Sequence, residues 1–415
     1  MKATFRTFAA TALGLFAATA VADTYTLTGD EDWSNRAEAF PASIDLNGHN
    51  LTVTRLDPCT ITDTNTEESG GELHVNVAKG ATLDNTSTTL AGFLKLVKDG
   101  AGTLTVTKTG QTYSGGTEVA GGMLTVPKGC VESNDARLGT GASKVTVDSG
   151  ATVELNASNL SNKPFVLAGG TVQTSASGAS IGAITLTANS TLHTLNTRSL
   201  QFSLAGDVDL CGYELKLLED AAGAIFVLSG SSNSFKNGTV NITGGGFYRA
   251  TRVTHCETAD FILNAALRQD GEMWVRDLTV TYNSIWWQGA GSTNKSKKWC
   301  IKGTYTPKGS YIYNFEMQDG STLNLRDKTD VWVPEKTLDQ NVFCALMYAN
   351  NATINVIPPK AAPFNPERKI VSWSDAGKPT NLNTLTFKLA PGYDGSVVKK
   401  DDGLYYYKGM TLLFR

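Results

Sequence analysis

Short runs in which every second residue is apolar recur along this chain, separated by glycines and small polar residues. Leu96-Val97-Lys98, Thr103-Leu104-Thr105-Val106, Met123-Leu124-Thr125-Val126 and the stretch from Val145 to Leu155 are of this kind. A period of two marks strands with one face buried, and runs this short fit one face of a coiled β-structure. Glycines 80, 102, 122, 150 and 170 lie mostly 20 to 22 residues apart, with one longer gap at the insertion around Pro127 to Arg137. That period is one coil of a solenoid.

Looser copies extend from Asp23 to about Ala250. Gly80-Ala81-Thr82-Leu83, Gly150-Ala151-Thr152-Val153, Gly170-Thr171-Val172 and Gly320-Ser321-Thr322-Leu323 repeat one turn-then-strand pattern. Asp45 to Val53 matches Asp209 to Leu217 position by position. In a solenoid, inward Leu, Val and Ile meet their counterparts in the coils above and below, while backbone groups pair between coils about 4.8 Å apart. At roughly 20 residues per coil, residues 23–250 make about eleven coils, a rod of roughly 50 Å. Only the two ends stay open and must be capped. Asp23 to Phe40, with Trp33 and the charged Asp30-Glu31-Asp32, is the predicted N-terminal cap.

Beyond Thr251 the texture changes. Trp274, Trp286, Trp287, Trp299, Trp332 and Trp373 lie there, glycine thins out, and prolines cluster from Pro358 to Pro366. This predicts a less regular, β-rich, aromatic C-terminal region over 251–415. Its last strands, from Val397 to Phe414, are read as three short strands joined by glycine-containing turns. Helical periodicity is almost absent, and Ala259 to Leu267, the nearest approach, is short and uncapped. The expected class is all-β.

The order from Lys98 to Val106, Gln111 to Val119, Gly122 to Val126, Leu138 to Gly141 and Val145 to Leu155 resembles the passenger-associated β-strand repeat of autotransporter proteins. The glycines and the Thr112-Tyr113 pair fall in the family's order over some sixty residues, 96–155. The resemblance implies a right-handed parallel β-solenoid exported from a Gram-negative-type cell. It supplies no catalytic residues, because the repeat is a structural, secretion-associated unit. The 165 residues after Ala250 do not read as the translocator barrel that usually ends such proteins, which needs a long series of amphipathic strands of about ten residues.

Lys2 and Arg6 precede a small and apolar run, Thr7 to Ala18, and Ala20-Val21-Ala22 is a small-x-small site before Asp23. Residues 1–22 are therefore expected to be a signal peptide cut between Ala22 and Asp23. No later run is long enough to cross a membrane as a helix. A formal net charge of -3 gives no reason to expect nucleic acid or an anionic bilayer as partner. The expected location is secreted, cell-surface or outer-membrane-associated.

Candidate chemistry is sparse. Six cysteines (59, 130, 211, 256, 300, 344) show no zinc spacing, and the last four are 45, 44 and 44 residues apart. On one ladder, thiols two coils apart lie about 10 Å from each other, beyond disulfide reach; disulfides elsewhere in the irregular part stay open. His255-Cys256-Glu257 sets a thiol beside a base, but neighbours on a strand point to opposite faces. Arg249, Arg252 and His255 are a candidate basic strip for an acidic polysaccharide. Asp63 to Glu67 begins like a calcium loop, yet Glu68 stands where a glycine is needed and His74 where the closing glutamate belongs. No metal or cofactor is expected. Trp274, Trp286, Trp287 and Trp299 are the candidate ligand-binding residues, since flat aromatic faces stack on sugars and anchor interfaces. The expected role is a non-catalytic structural or adhesin-like surface protein that binds glycans or cell-surface proteins. The alternative is a carbohydrate-active β-helix enzyme seeded on Asp207 and Asp209, which needs a cluster of carboxylates and Lys or Arg on one face.

Overall fold

The computed structural model describes residues 24–407 apart from internal stretches, the longest being 288–298, 327–350, 358–367 and 373–381. The described residues form strands and turns without a helix. Ala259–Asn264, the segment nearest to a helical pattern, is a strand.

The strands stack as a parallel β-solenoid. One face is a 14-stranded sheet from Thr82–Asn85 to Thr386–Leu389, and a second is a 10-stranded sheet from Glu31–Asp32 to Phe235–Lys236. The third position in the coil is filled by a four-stranded sheet ending at Thr89–Gly92 and later by a five-stranded sheet starting at Asn159–Leu160. Thr82, Thr103, Met123, Thr152, Thr171 and Thr191 are successive partners in the 14-stranded sheet. One residue on, Leu104, Leu124, Val153, Val172 and Leu192 stack inward and are buried. The glycine period is therefore the rung period. The same ladder continues past residue 250 through Ala259–Asn264, Leu278–Val280, Thr304–Pro307, Thr322–Arg326 and Thr353–Ile357.

The match between Asp45–Val53 and Asp209–Leu217 is a match of corners, not of rungs. In both, the aspartate Oδ1 accepts the N–H two residues on, from Asn47 and from Cys211, each at 3.1 Å. Asn47 and Cys211 take φ of 49° and 48°, and a glycine with positive φ follows. Asp45, however, lies in the four-stranded sheet and leads into the 10-stranded one, whereas Asp209 lies in the 10-stranded sheet and leads into the 14-stranded one. One local turn serves two corners of the coil because it depends only on an Asx bond and left-handed backbone.

The segment expected to cap the N-terminal end already forms ladder: Tyr25 and Thr26 pair with Ile44 and Asp45, and Glu31 and Asp32 with Leu51 and Thr52. Trp33 and Phe40 are buried edge-to-face at 5.3 Å, with Arg36 4.1 Å from the Trp33 ring centre. At the other end, Arg368–Ser372, Gly403–Tyr407 and Ser396–Lys400 form a three-stranded antiparallel sheet. Two of the three strands read in the tail are present, but the third strand of this sheet comes from residues 368–372; Met410 to Phe414 lie outside the described residues.

Three polar residues of the repeat are structural: Lys98, Tyr113 and Gln111. Lys98 is buried, and its Nζ donates to the carbonyls of Asp99 at 2.7 Å, Gly100 at 3.0 Å and Gly121 at 3.0 Å, tying one coil to the next. Tyr113 is buried with its hydroxyl 2.6 Å from Thr117 Oγ1. Gln111 donates to Thr88 O at 3.1 Å and accepts from Leu90 N at 2.5 Å.

Candidate functional site

Among the described residues, a dense charged arrangement lies on the outer face of the 10-stranded sheet, across the strands Glu72–Asn76, Lys95–Asp99, Thr117–Val119 and Val145–Asp148. Alternation buries Leu73, Leu96, Val119 and Val147 and turns Glu72, His74, Lys95, Glu118 and Asp148 outward. Glu72 stands opposite Lys95, and Glu118 opposite Thr146, two residues from Asp148 on the same face. Lys95 Nζ reaches Glu72 Oε1 at 2.8 Å and Glu118 Oε2 at 2.7 Å. His74 sits between Glu72 Oε2 at 3.0 Å and Asp99 Oδ2 at 2.6 Å.

These side chains are only 27–32% exposed, so their charges act on one another strongly. Burial works to raise the Glu72 carboxyl, but its bonds to Lys95 and His74 outweigh that and hold it below the usual carboxylate value. Burial likewise works to lower the Lys95 ammonium, and the two glutamates lift it above the ordinary lysine value. Asp148 moves the other way: burial raises its carboxyl, and so do the charge and hydrogen bond of Glu118, while Lys95 opposes them. The strip thus sets acidic and basic groups side by side on one face, with proton affinities that their neighbours shift in opposite directions.

Alternation leaves this strip partly legible: Glu72, His74, Lys95 and Glu118 are the polar members of apolar-polar runs, Glu118 lies within the repeat itself, and Lys95 immediately precedes it. The cross-rung pairing was not legible, because it depends on a register that the loop lengths between strands set.

The tryptophans do not converge on one ladder. Trp274 is half-buried in Met273–Val275 and stands opposite Cys300, while Trp299 stands opposite Met273, one step out of register. Trp286 and Trp287 belong to a separate two-stranded sheet, opposite Leu267 and Arg268. Ala22 and Asp23 lie outside the described residues, as do Arg252, Glu257, Trp332 and Cys344.

Asp207 ties to the next coil, and Asp209 caps a turn. Asp207 accepts from Ser234 N at 3.0 Å and pairs with Lys236 at 3.1 Å. Asp209 accepts from Cys211 N at 3.1 Å and from Asn237 Nδ2 at 3.2 Å, and these bonds hold it below the usual carboxylate value. A shallow groove of ≈ 450 Å³ beside them is lined by Gly212, Asn237, Gly238, Thr239, Thr258 and Arg276. Arg276 is engaged bidentately by Asp260 at 2.7 and 2.6 Å.

The candidate calcium loop has another use for its first aspartate. Asp63 is buried, and its carboxylate accepts the N–H groups of Gly48 at 3.2 Å, Asn65 at 2.8 Å and Gly71. Among the described residues, no group of three His, Cys, Asp or Glu is placed to hold a metal ion. The cysteines do not share a ladder either: Cys256 pairs in register with Val275, and Cys300 with Trp274. Cys211 sits in a turn and is exposed, and Cys59 is buried; both carry free thiols. Burial, reinforced by the charge of Asp57, pushes the Cys59 thiol up to about 11. Cys256 Sγ accepts from Phe235 N at 3.4 Å, so it belongs to the packing. Arg249 ends a strand of the five-stranded sheet while His255 lies in a different sheet.

Among the described residues, no helix is long and apolar enough to cross a membrane. No family model, curated protein or solved structure matches the chain.

Proposed function

We propose that this chain is an exported β-solenoid of the autotransporter passenger-associated repeat type, secreted or held at the surface of a Gram-negative-type cell, where it acts as a structural or adhesin-like protein toward glycans or surface proteins. The observation that carries this reading is the outward face of the 14-stranded sheet. Thr82, Thr103, Thr152, Thr171 and Thr191 lie in one register column, and Thr105 and Thr125 in the next. Apart from Met123, which stands between Thr103 and Thr152, hydroxyl groups follow one another there at the rung spacing of about 4.8 Å, a surface of donors and acceptors for an extended ligand.

The test is binding of residues 23–415 to a broad glycan and matrix-protein array. Two folded variants accompany it, Thr152→Lys/Thr171→Lys on the hydroxyl face and Trp286→Ala/Trp287→Ala. Binding lost in the first variant places recognition on the threonine face, and binding lost in the second places it on the tryptophans. No binding by the unaltered chain removes the adhesin role for those ligands.

A second reading, a carbohydrate-active β-helix enzyme, is favoured by one observation: the strip of Glu72, Lys95, Glu118 and Asp148, with carboxylates and a lysine on one face. Release of new reducing or unsaturated ends from a polysaccharide panel, abolished in Glu118→Gln, is its expected signature. A panel left intact removes it for those substrates.

A further inference from the structure

We propose that the corner groove beside Asp207 and Asp209 is a binding subsite for a neutral saccharide; this rests on the glycan-binding reading above and gives it a place and a ligand class. The groove follows the corner at which the chain enters the 14-stranded sheet, and four successive coils supply it. Gly212 comes from the first, Asn237, Gly238 and Thr239 from the second, Thr258 from the third and Arg276 from the fourth. Three rung steps of about 4.8 Å make it about 14 Å long. Its volume of ≈ 450 Å³ falls within the range of small-ligand sites, about 300–1,000 Å³.

Two glycines leave backbone uncovered there. Gly212 takes φ of 91°, and a Cβ on it would meet nothing within 4 Å, so the space over it is open. A Cβ on Gly238 would strike Leu210 Cβ and Tyr213 O, each at 2.5 Å, so the first two coils are held close. Tyr213, one residue on from Gly212, is 39% exposed and offers a flat aromatic face of the kind that stacks on sugar rings.

The polar groups of the lining are fixed in place but not used up. Asn237 Nδ2 donates to Asp209 Oδ1 at 3.2 Å, and Asn237 Oδ1 has no partner among the described residues. Thr258 Oγ1 accepts from Asn237 N at 3.1 Å, which leaves its O–H to donate. Arg276 gives Nε and Nη2 to Asp260 at 2.7 and 2.6 Å, so the guanidinium is held in one plane with Nη1 left over, and the side chain is 49% exposed. An acceptor, a hydroxyl and a guanidinium nitrogen, each anchored by its own partner, match the hydroxyl groups of a sugar.

Charge balance selects the class. Arg276 is the cation of the lining and Asp260 neutralises it, while Lys236, next to Asn237, is paired with Asp207 at 3.1 Å. Glu214, opposite Thr239 in the ladder, and Asp277, whose charge acts on Arg276, add to the negative side. An acidic or sulfated glycan therefore finds its charge opposed, whereas an uncharged polyol meets donors and acceptors.

Titration calorimetry and ligand-observed NMR of the full chain with neutral gluco-, galacto-, manno- and xylo-hexaoses and their sulfated counterparts test the proposal. At least one neutral hexaose is expected to bind, and its sulfated counterpart to bind more weakly. Asn237→Gly keeps the left-handed turn, where φ is 59°, and removes the amide; Arg276→Lys keeps a cation opposite Asp260 and removes the fork. Each is expected to weaken binding about tenfold, and Thr152→Lys/Thr171→Lys to leave it unchanged. Failure of every neutral hexaose to bind, equal or tighter binding of the sulfated counterpart, or affinity that a folded groove variant retains in full overturns the subsite. Array signals that survive the groove variants but disappear with the threonine or tryptophan variants overturn the groove and leave the glycan-binding reading standing; a silent array removes both.

Discussion

At the scale of single residues, Lys98 shows how little of this chain's polar chemistry is free for function. A buried ammonium is costly unless its donors are all used. Here three backbone carbonyls take them, one from the end of its own strand, one from the turn that follows and one from the next coil. Burial pulls its pKa below the ordinary lysine value, against the charge of Asp99. Lys98→Met keeps the stem but leaves those carbonyls without a donor, and the expected cost is about 1–3 kcal/mol, read as a fall in the denaturation midpoint at constant m-value. An unchanged midpoint means that the carbonyls find water and that the lysine is not a tie. The lysine was legible in the sequence as the first residue of the repeat. Its inward position was not, because a charged residue in an alternating run is ordinarily assigned outward; Val97, outward in the alternation and in register with His74 and Glu118, is itself buried.

At the scale of elements, the turn is the unit that repeats most faithfully. Asn47, Asn237 and Cys211 hold φ of 49°, 59° and 48°. Asparagine tolerates that region because its short amide bonds locally, whereas other side chains crowd the following carbonyl at a cost of about 1–2 kcal/mol. Cysteine at position 211 thus occupies the place that Asn47 holds in the matching turn. Cys211→Asn is expected to stabilise the protein by up to about 1 kcal/mol, and Cys211→Val to destabilise it; calorimetry of the two variants under reducing conditions distinguishes them. A lower melting temperature for Cys211→Asn contradicts the assignment of strain to this turn. The sequence match of the two turns was sound as local chemistry and misleading as an alignment of coils. An Asx turn reports backbone geometry over about five residues, and nothing in it records which face of the coil comes next.

At the scale of the whole molecule, a parallel solenoid carries its stability rung by rung, each coil packed only on its neighbours. The core leucines make this testable. Leu104 is buried and stands in register between Leu83 and Leu124. Leu104→Ala removes a side chain from the middle of that stack and is expected to cost about 2–5 kcal/mol. In a globular core, such a loss spreads over the whole domain. Here it is expected to fall mainly on Thr82–Asn85, Lys95–Asp99, Thr103–Val106 and Met123–Val126. The strands Glu214–Glu219 and Gly238–Thr243, several rungs away, keep their hydrogen-exchange protection. Uniform loss of protection from Glu72 to Thr243 instead shows that the rod unfolds as one cooperative unit, with coupling between coils far stronger than nearest-neighbour packing supplies.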